Sequence, residues 1–255
     1  MSNAPIGVLI IGWFVVLAAV SWGTRWWVRR RNDEERQEEL GDHANKFTGL
    51  VGATFAFLTG FAIMISWSGV TAGQAIVEAE AAASQQLSWS AHALKDQEAG
   101  QRIRDDLVTY LRIAAREDPE QLAVGNFGSL PSMESLSRLE NTVHEIAYVG
   151  GSSPQEAGGL ITAATAISGE QSQLAAIATR ALPAVVIVLL VTSALLLAVV
   201  IGMSTVTMDR PILLLGWSLV AAIALSVVIT LDHPFSGDIA VDLTPLDYAA
   251  DRISR

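Results

Sequence analysis

The side chains that could do chemistry are few and far apart. Four histidines (His43, His92, His144 and His233) are scattered through 255 residues, and no two of them stand at metal-ligand spacing. There is no cysteine, which excludes thiolate catalysis, disulfides and cysteine-based metal sites. No phosphate-binding G-x-x-x-x-G-K-[ST] loop, G-x-S-x-G elbow or H-E-x-x-H zinc motif occurs. No catalytic residue, metal or cofactor is expected, and the chain does not read as an enzyme. What remains is the chemistry of passage through an apolar layer. On a helical wheel, Phe47, Thr54, Leu58, Phe61, Ile65 and Ser68 fall on one stripe, bulky and apolar at its centre and polar at positions 54 and 68. If several copies meet around an axis, Thr54, Leu58, Phe61, Ile65 and Ser68 would line a hydrophobic constriction, which can gate ions by dewetting. The same stripe would serve equally as a lipid-facing or packing surface, the commoner role of an apolar helix face.

The other side of that helix carries Gly49, Gly52, Ala53, Ala56 and Gly60. Gly52, Ala56 and Gly60 form a small-xxx-small series that lets helix backbones approach closely. A second candidate is the stretch LDHPFSG at 231–237. Pro234 stops a helix, Phe235 anchors at the interface and Gly237 allows a turn. Asp232 and His233 could instead line a vestibule and make permeation pH-sensitive, since histidine titrates near neutrality.

These residues are positioned by apolar runs. Residues 1–24, 47–77, 181–208 and 211–231 contain no charged side chain. A helix crosses about 30 Å of hydrocarbon with about 20 residues, so each run is long enough to span. The first run lacks a basic n-region, and its arginines follow it, the reverse of a signal peptide. The expected organisation is transmembrane helix 1 over 1–28, a charged connector over 29–46 of one or two helical turns, and helix 2 over 47–77. A soluble helical region follows over 78–180, then helix 3 over 181–208, helix 4 over 211–231, and a tail over 232–255. The fold class is all-α: an integral membrane protein with four transmembrane helices and a helical bundle formed by extensions of helices 2 and 3.

Inside the soluble region, Ile103, Leu107, Tyr110, Leu111 and Ala114 share one helical face. Leu136, Leu139, Val143 and Ile146 do the same in a helix expected over 132–148. Gly150-Gly151 ends it, and Ser153-Pro154-Gln155-Glu156 reads as a capping box with proline at the first helical position. Leu182-Pro183 predicts a kink at the start of helix 3. Thr244-Pro245-Leu246-Asp247 predicts a short C-terminal helix capped by Thr244.

The stretch from Glu78 to Arg180 holds fourteen acidic and seven basic side chains, which excludes a nucleic-acid partner. Arg25, Arg29, Arg30, Arg31, Arg36 and Lys46 lie between helices 1 and 2, with Arg210 on the same side, against only Arg180 on the other. The positive-inside rule then puts both basic loops in the cytoplasm. The 78–180 region and both termini become extracytoplasmic in a multi-pass protein of the inner membrane. No acidic, basic or histidine side chain falls inside any of the four apolar runs, which disfavours a proton-coupled transporter.

Several segments together resemble the bacterial bestrophin-like family of four-span membrane proteins. LDHPFSG followed by IAVDLTPL is similar to that family's signature after its last span, with Asp232, Pro234, Phe235 and Gly237 at the matching positions. HANKFTGLVGATFAFLTGFAIMISW (43–67) looks like its second span, and Glu78-Ala79 or Glu80-Ala81 like the glutamate-alanine pair that follows. Tyr110 with Arg116-Glu117-Asp118-Pro119, and Leu182-Pro183 after Arg180, also fit, although Asp118 stands where the family often has tryptophan. The resemblance implies a homo-oligomer, a pentamer by analogy with bestrophin channels, passing small ions through a hydrophobic neck on helix 2. It also implies a cytoplasmic 78–180 region, opposite to the charge count, which is preferred because it comes from this chain. Two functions follow as expectations: a bestrophin-like homo-oligomeric ion channel, or a non-conducting extracytoplasmic helical sensor or scaffold.

Overall fold

A computed structural model describes residues 6–124, 126–149, 152–178, 182–208, 212–232, 235 and 240–255. The described residues form helices and no strand: α1 (Ile6–Arg31), α2 (Glu34–His92), α3 (Gln97–Arg116), α4 (Asp118–Ala123), α5 (Ser132–Tyr148), α6 (Pro154–Ala178), α7 (Ala184–Ser204), α8 (Ile212–Leu231) and α9 (Thr244–Ile253), with a 3-10 turn at Phe127–Ser129. Four of them, α1, α2, α7 and α8, are long and apolar enough to cross a membrane. The chain is an all-α integral membrane protein.

The charged connector is shorter than the sequence suggested. Between α1 and α2 only residues 32 and 33 lie outside a helix. Glu34 and Glu35 open α2, where acidic side chains favour the positive end of the helix dipole. No proline follows, so the 59-residue helix runs on through its apolar stretch and beyond it.

The chain divides into two compact units. The first comprises residues 1–68 and 181–232. Its apolar core includes Leu17 of α1, Phe55 and Ala62 of α2, Leu190 and Leu197 of α7, and Leu214 and Leu225 of α8. Helices α1 and α7 pack closely at Gly202: a Cβ there would collide with the Ser21 carbonyl oxygen and lie 3.0 Å from Thr24 Cβ. Beside this contact Ser21 Oγ donates to the Ala198 carbonyl at 2.9 Å. The carbonyls just beyond α7 are satisfied by arginines of α1. Arg25, itself buried, donates to Thr205 and Met208, and Arg29 Nε donates to Val206 at 2.8 Å. A helix end buried in an apolar layer needs such donors, and a charged one suits its negative dipole end. The predicted kink at Leu182-Pro183 is a full break: both residues lie outside any helix. Proline lacks the N–H that would continue a helix and pushes its predecessor toward extended backbone.

The second unit comprises residues 69–180 and 233–255. The predicted faces of α3 and α5 are its core, with Ile103, Leu107, Tyr110, Leu111 and Ala114 buried on α3, and Leu136, Leu139, Val143 and Ile146 on α5. The turn from α2 into α3 is tight. Asp96 accepts from the Glu98 and Ala99 N–H groups at 3.1 Å, and a Cβ on Gly100 would strike the Ala91 carbonyl oxygen. The capping box forms as read: Ser153 N–H donates to Glu156 Oε2 at 2.8 Å, and Glu156 N–H donates to Ser153 Oγ at 3.3 Å. At the C-terminal helix the N-cap is Leu243, one residue before the expected Thr244, and just ahead of it Asp242 Oδ1 accepts from Thr244 N–H at 2.9 Å and from the Thr244 hydroxyl. Residues 241–242 run past α2, where Gly73 gives Val241 room and Gln74 Oε1 accepts from Asp242 N–H at 3.0 Å. Helix α9 then lies on α3, burying Leu246, Ala249 and Ala250, with Arg116 forked onto Asp247 at 3.1 and 3.3 Å.

Candidate functional site

Helix α2 presents three faces along its apolar stretch. Ala44, Phe55, Thr59, Ala62 and Ser66 are buried within the chain. On the predicted stripe, Phe47, Thr54 and Ser68 are exposed, whereas Leu58 and Ile65 are partly buried against the first unit's core. The most exposed bulky side chains sit about a sixth of a turn away: Leu50 (65% exposed), Phe57 (72%) and Met64 (61%), with Phe61 (42%) between the two stripes. The Phe57 and Phe61 rings stack, 6.4 Å between centroids and 7° between planes. The small-residue series is split. A Cβ built on Gly52 would lie 4.0 Å from Leu197 Cδ1, while among the described residues nothing lies within 4 Å of a Cβ built on Gly49 or Gly60, and Ala56 is exposed. One chain therefore leaves an apolar arc of α2 uncovered, with bulky residues at its centre and small ones along one border.

After α8, Asp232 Oδ1 accepts from the Leu182 N–H at 2.6 Å, so that carboxylate holds the backbone just before α7. Phe235 is buried. His233, Pro234, Ser236 and Gly237 lie outside the described residues, as do Gly150, Gly151, Arg180 and Arg210.

A second group of polar residues lies in the second unit, beyond the uncharged 47–77 stretch. Glu80, on the C-terminal half of α2, is completely buried and accepts from the Tyr110 hydroxyl of α3. Its Oε2 has no hydrogen-bond partner among the described residues. Burial pushes its carboxyl up from 4.5 to about 7; the Tyr110 hydrogen bond opposes this, and the charges of Asp118 and Glu170 add to it. Asp118, at the start of α4, accepts from Ser132 N–H at 3.0 Å and from the Ser132 hydroxyl, which also accepts from Gln171 Nε2 at 3.3 Å. Burial raises its carboxyl, against the Ser132 and Gln171 hydrogen bonds. Of the two candidate pairs Glu78-Ala79 and Glu80-Ala81, Glu80 is the buried glutamate and Glu78 is exposed. Glu80, Tyr110 and Asp118 belong to motifs that are weak singly, and tertiary structure places all three in the buried interior of this unit. Among the described residues no group of histidine, aspartate and glutamate could hold a metal ion.

The family whose model matches is the Bestrophin-like domain, over residues 15–246. Solved structures with the same fold include two single-substitution variants of a bacterial Bestrophin homolog from Klebsiella pneumoniae. One is 15% identical with a TM-score of 0.74, covering 96% of this chain and 97% of that one. The other is also 15% identical, with a TM-score of 0.70, and the coverage is 97% and 94%. A crystal structure described only as a membrane protein is 19% identical, with a TM-score of 0.72 and 96% of each chain covered. No curated protein matches.

Proposed function

The chain belongs to the Bestrophin-like family, and on that premise we propose that it is a homo-oligomeric ion channel whose constriction is built from α2. The observation that carries this reading is the uncovered apolar arc of α2. A single chain leaves Leu50, Phe57, Phe61 and Met64 exposed in a stretch without a charged side chain. Several copies, five by family analogy, would turn this arc toward a shared axis, with Thr54 and Ser68 as polar rims and the Gly49, Ala56 and Gly60 border admitting a neighbouring backbone. Leu58 and Ile65 would then support the constriction from behind, and Phe57, Phe61 and Met64 would line it. An apolar neck of this kind opposes ion passage by dewetting and has little charge selectivity of its own. The acidic 78–180 region would favour cations on approach.

Arg25 and Arg29 are held by carbonyls beyond α7, while Arg30, Arg31, Arg36 and Lys46 are exposed. These exposed charges support placing that loop in the cytoplasm and the soluble unit outside, in the inner membrane. The test is ion flux into liposomes by purified oligomer. Wild type is expected to conduct weakly, and Phe57→Ala or Phe61→Ala to raise flux by widening the neck. Flux indistinguishable from empty liposomes for wild type and both variants, with a stoichiometric protein partner recovered from membranes, would overturn the channel in favour of a non-conducting sensor or scaffold.

A further inference from the structure

On the membrane face of α1, small residues form the floor of a groove. Ala18, Ala19, Trp22, Gly23 and Trp26 of α1, with Leu215 of α8, line an open and almost wholly apolar groove of about 510 Å³. Among the described residues nothing lies within 4 Å of a Cβ built on Gly23. The groove is polarised along α1. Ala19, Trp22, Trp26 and Arg30 succeed one another on one face at steps of three and four, so the apolar floor leads toward a positive charge. The Arg30 guanidinium lies over the Trp26 ring, 5.1 Å from its centroid. Asp33, Glu34 and Glu35 follow in sequence, yet among the described residues Arg30 forms no ion pair. A guanidinium stacked on indole keeps its edge N–H groups available for a phosphate.

An apolar slot ending in an aromatic ring and an unneutralised guanidinium matches one kind of molecule: an acyl chain joined to an anionic headgroup. We propose that α1 and α8 hold one anionic glycerophospholipid, with an acyl chain over Ala18, Ala19 and Gly23 and its phosphate on Arg30. Charge complementarity at Arg30 distinguishes this from a general lipid annulus, which shows no headgroup preference.

The test is native mass spectrometry of the intact purified protein, released from nanodiscs containing equimolar phosphatidylglycerol and phosphatidylcholine. Wild type is expected to retain about one phosphatidylglycerol per chain in preference to phosphatidylcholine. Gly23→Leu fills the slot from a position with open space and should abolish retention of either lipid. Arg30→Gln changes only an exposed side chain and should reduce the phosphatidylglycerol preference about tenfold while leaving the slot occupied. Equal retention of the two lipids by wild type, or unchanged retention by Gly23→Leu, overturns the proposal, as does a groove closed to lipid by a second copy. The readout is bound mass and is independent of ion flux.

Discussion

Glu80 makes the second unit's stability depend on pH in a direction that can be worked out in advance. Its carboxyl is raised from 4.5 to about 7 in the folded protein, chiefly by burial. Between those values the folded state holds a proton that the unfolded chain has released. The group's contribution is therefore fully present below about pH 4.5 and is lost as pH rises through 7. At about 1.4 kcal/mol per pH unit, the loss is roughly 3 kcal/mol. Because Glu80 is 0% exposed, solvent screening does little to reduce this. The perturbation is Glu80→Gln, which keeps the shape and the acceptor for Tyr110 and cannot ionise. The assay is thermal unfolding in detergent, followed by circular dichroism from pH 5 to pH 8.5 on both proteins. Their difference isolates position 80 from Asp118, whose raised carboxyl acts in the same direction. The wild type should lose stability relative to the variant by roughly 3 kcal/mol across that window, about 6–12 °C in melting temperature for a chain of this size. Parallel curves for the two proteins would refute the buried, proton-holding carboxyl.

Other expectations follow from neighbouring contacts. Tyr110→Phe removes the hydrogen bond that lowers the Glu80 carboxyl, so it should cost about 1–3 kcal/mol and move the pH-dependent loss to higher pH, read in the same melts. Gly202→Val places side-chain atoms against the Ser21 carbonyl and Thr24, and should cost at least about 1–3 kcal/mol by separating α1 from α7, seen as lower yield and melting temperature. Ser153→Ala breaks one half of the capping box and should destabilise α6 by about 1 kcal/mol, measured by faster amide exchange over 154–158. Leu246→Ala empties a buried position on α9 and should cost about 2–4 kcal/mol, with exchange rising first across 244–253.

The four spans, the amphipathic faces of α3 and α5 and the 153–156 capping box were all readable from sequence, because each depends on residues a few positions apart. Hydrophobic length, helical period and cap chemistry are local properties. The face of α2 that is free was not readable. Lipid and protein interior are equally apolar, so Leu58 and Phe57 look alike in sequence although only Phe57 is left uncovered. Arg25 and Arg29 read simply as topological charges until α7 ended beside them and supplied carbonyls from about 180 residues away. Glu80 and Tyr110 are 30 residues apart, and although Tyr110 falls on the apolar face of α3, Glu80 carries no mark of burial in the sequence. Only the packing of α3 against the end of α2 removes water from that carboxyl and gives it a pKa near neutrality. Asp232 likewise gained its partner, the Leu182 N–H, only when the end of α8 met the start of α7. Local chemistry decided what the elements are, and long-range packing decided which of their side chains meet lipid, another helix or a buried charge.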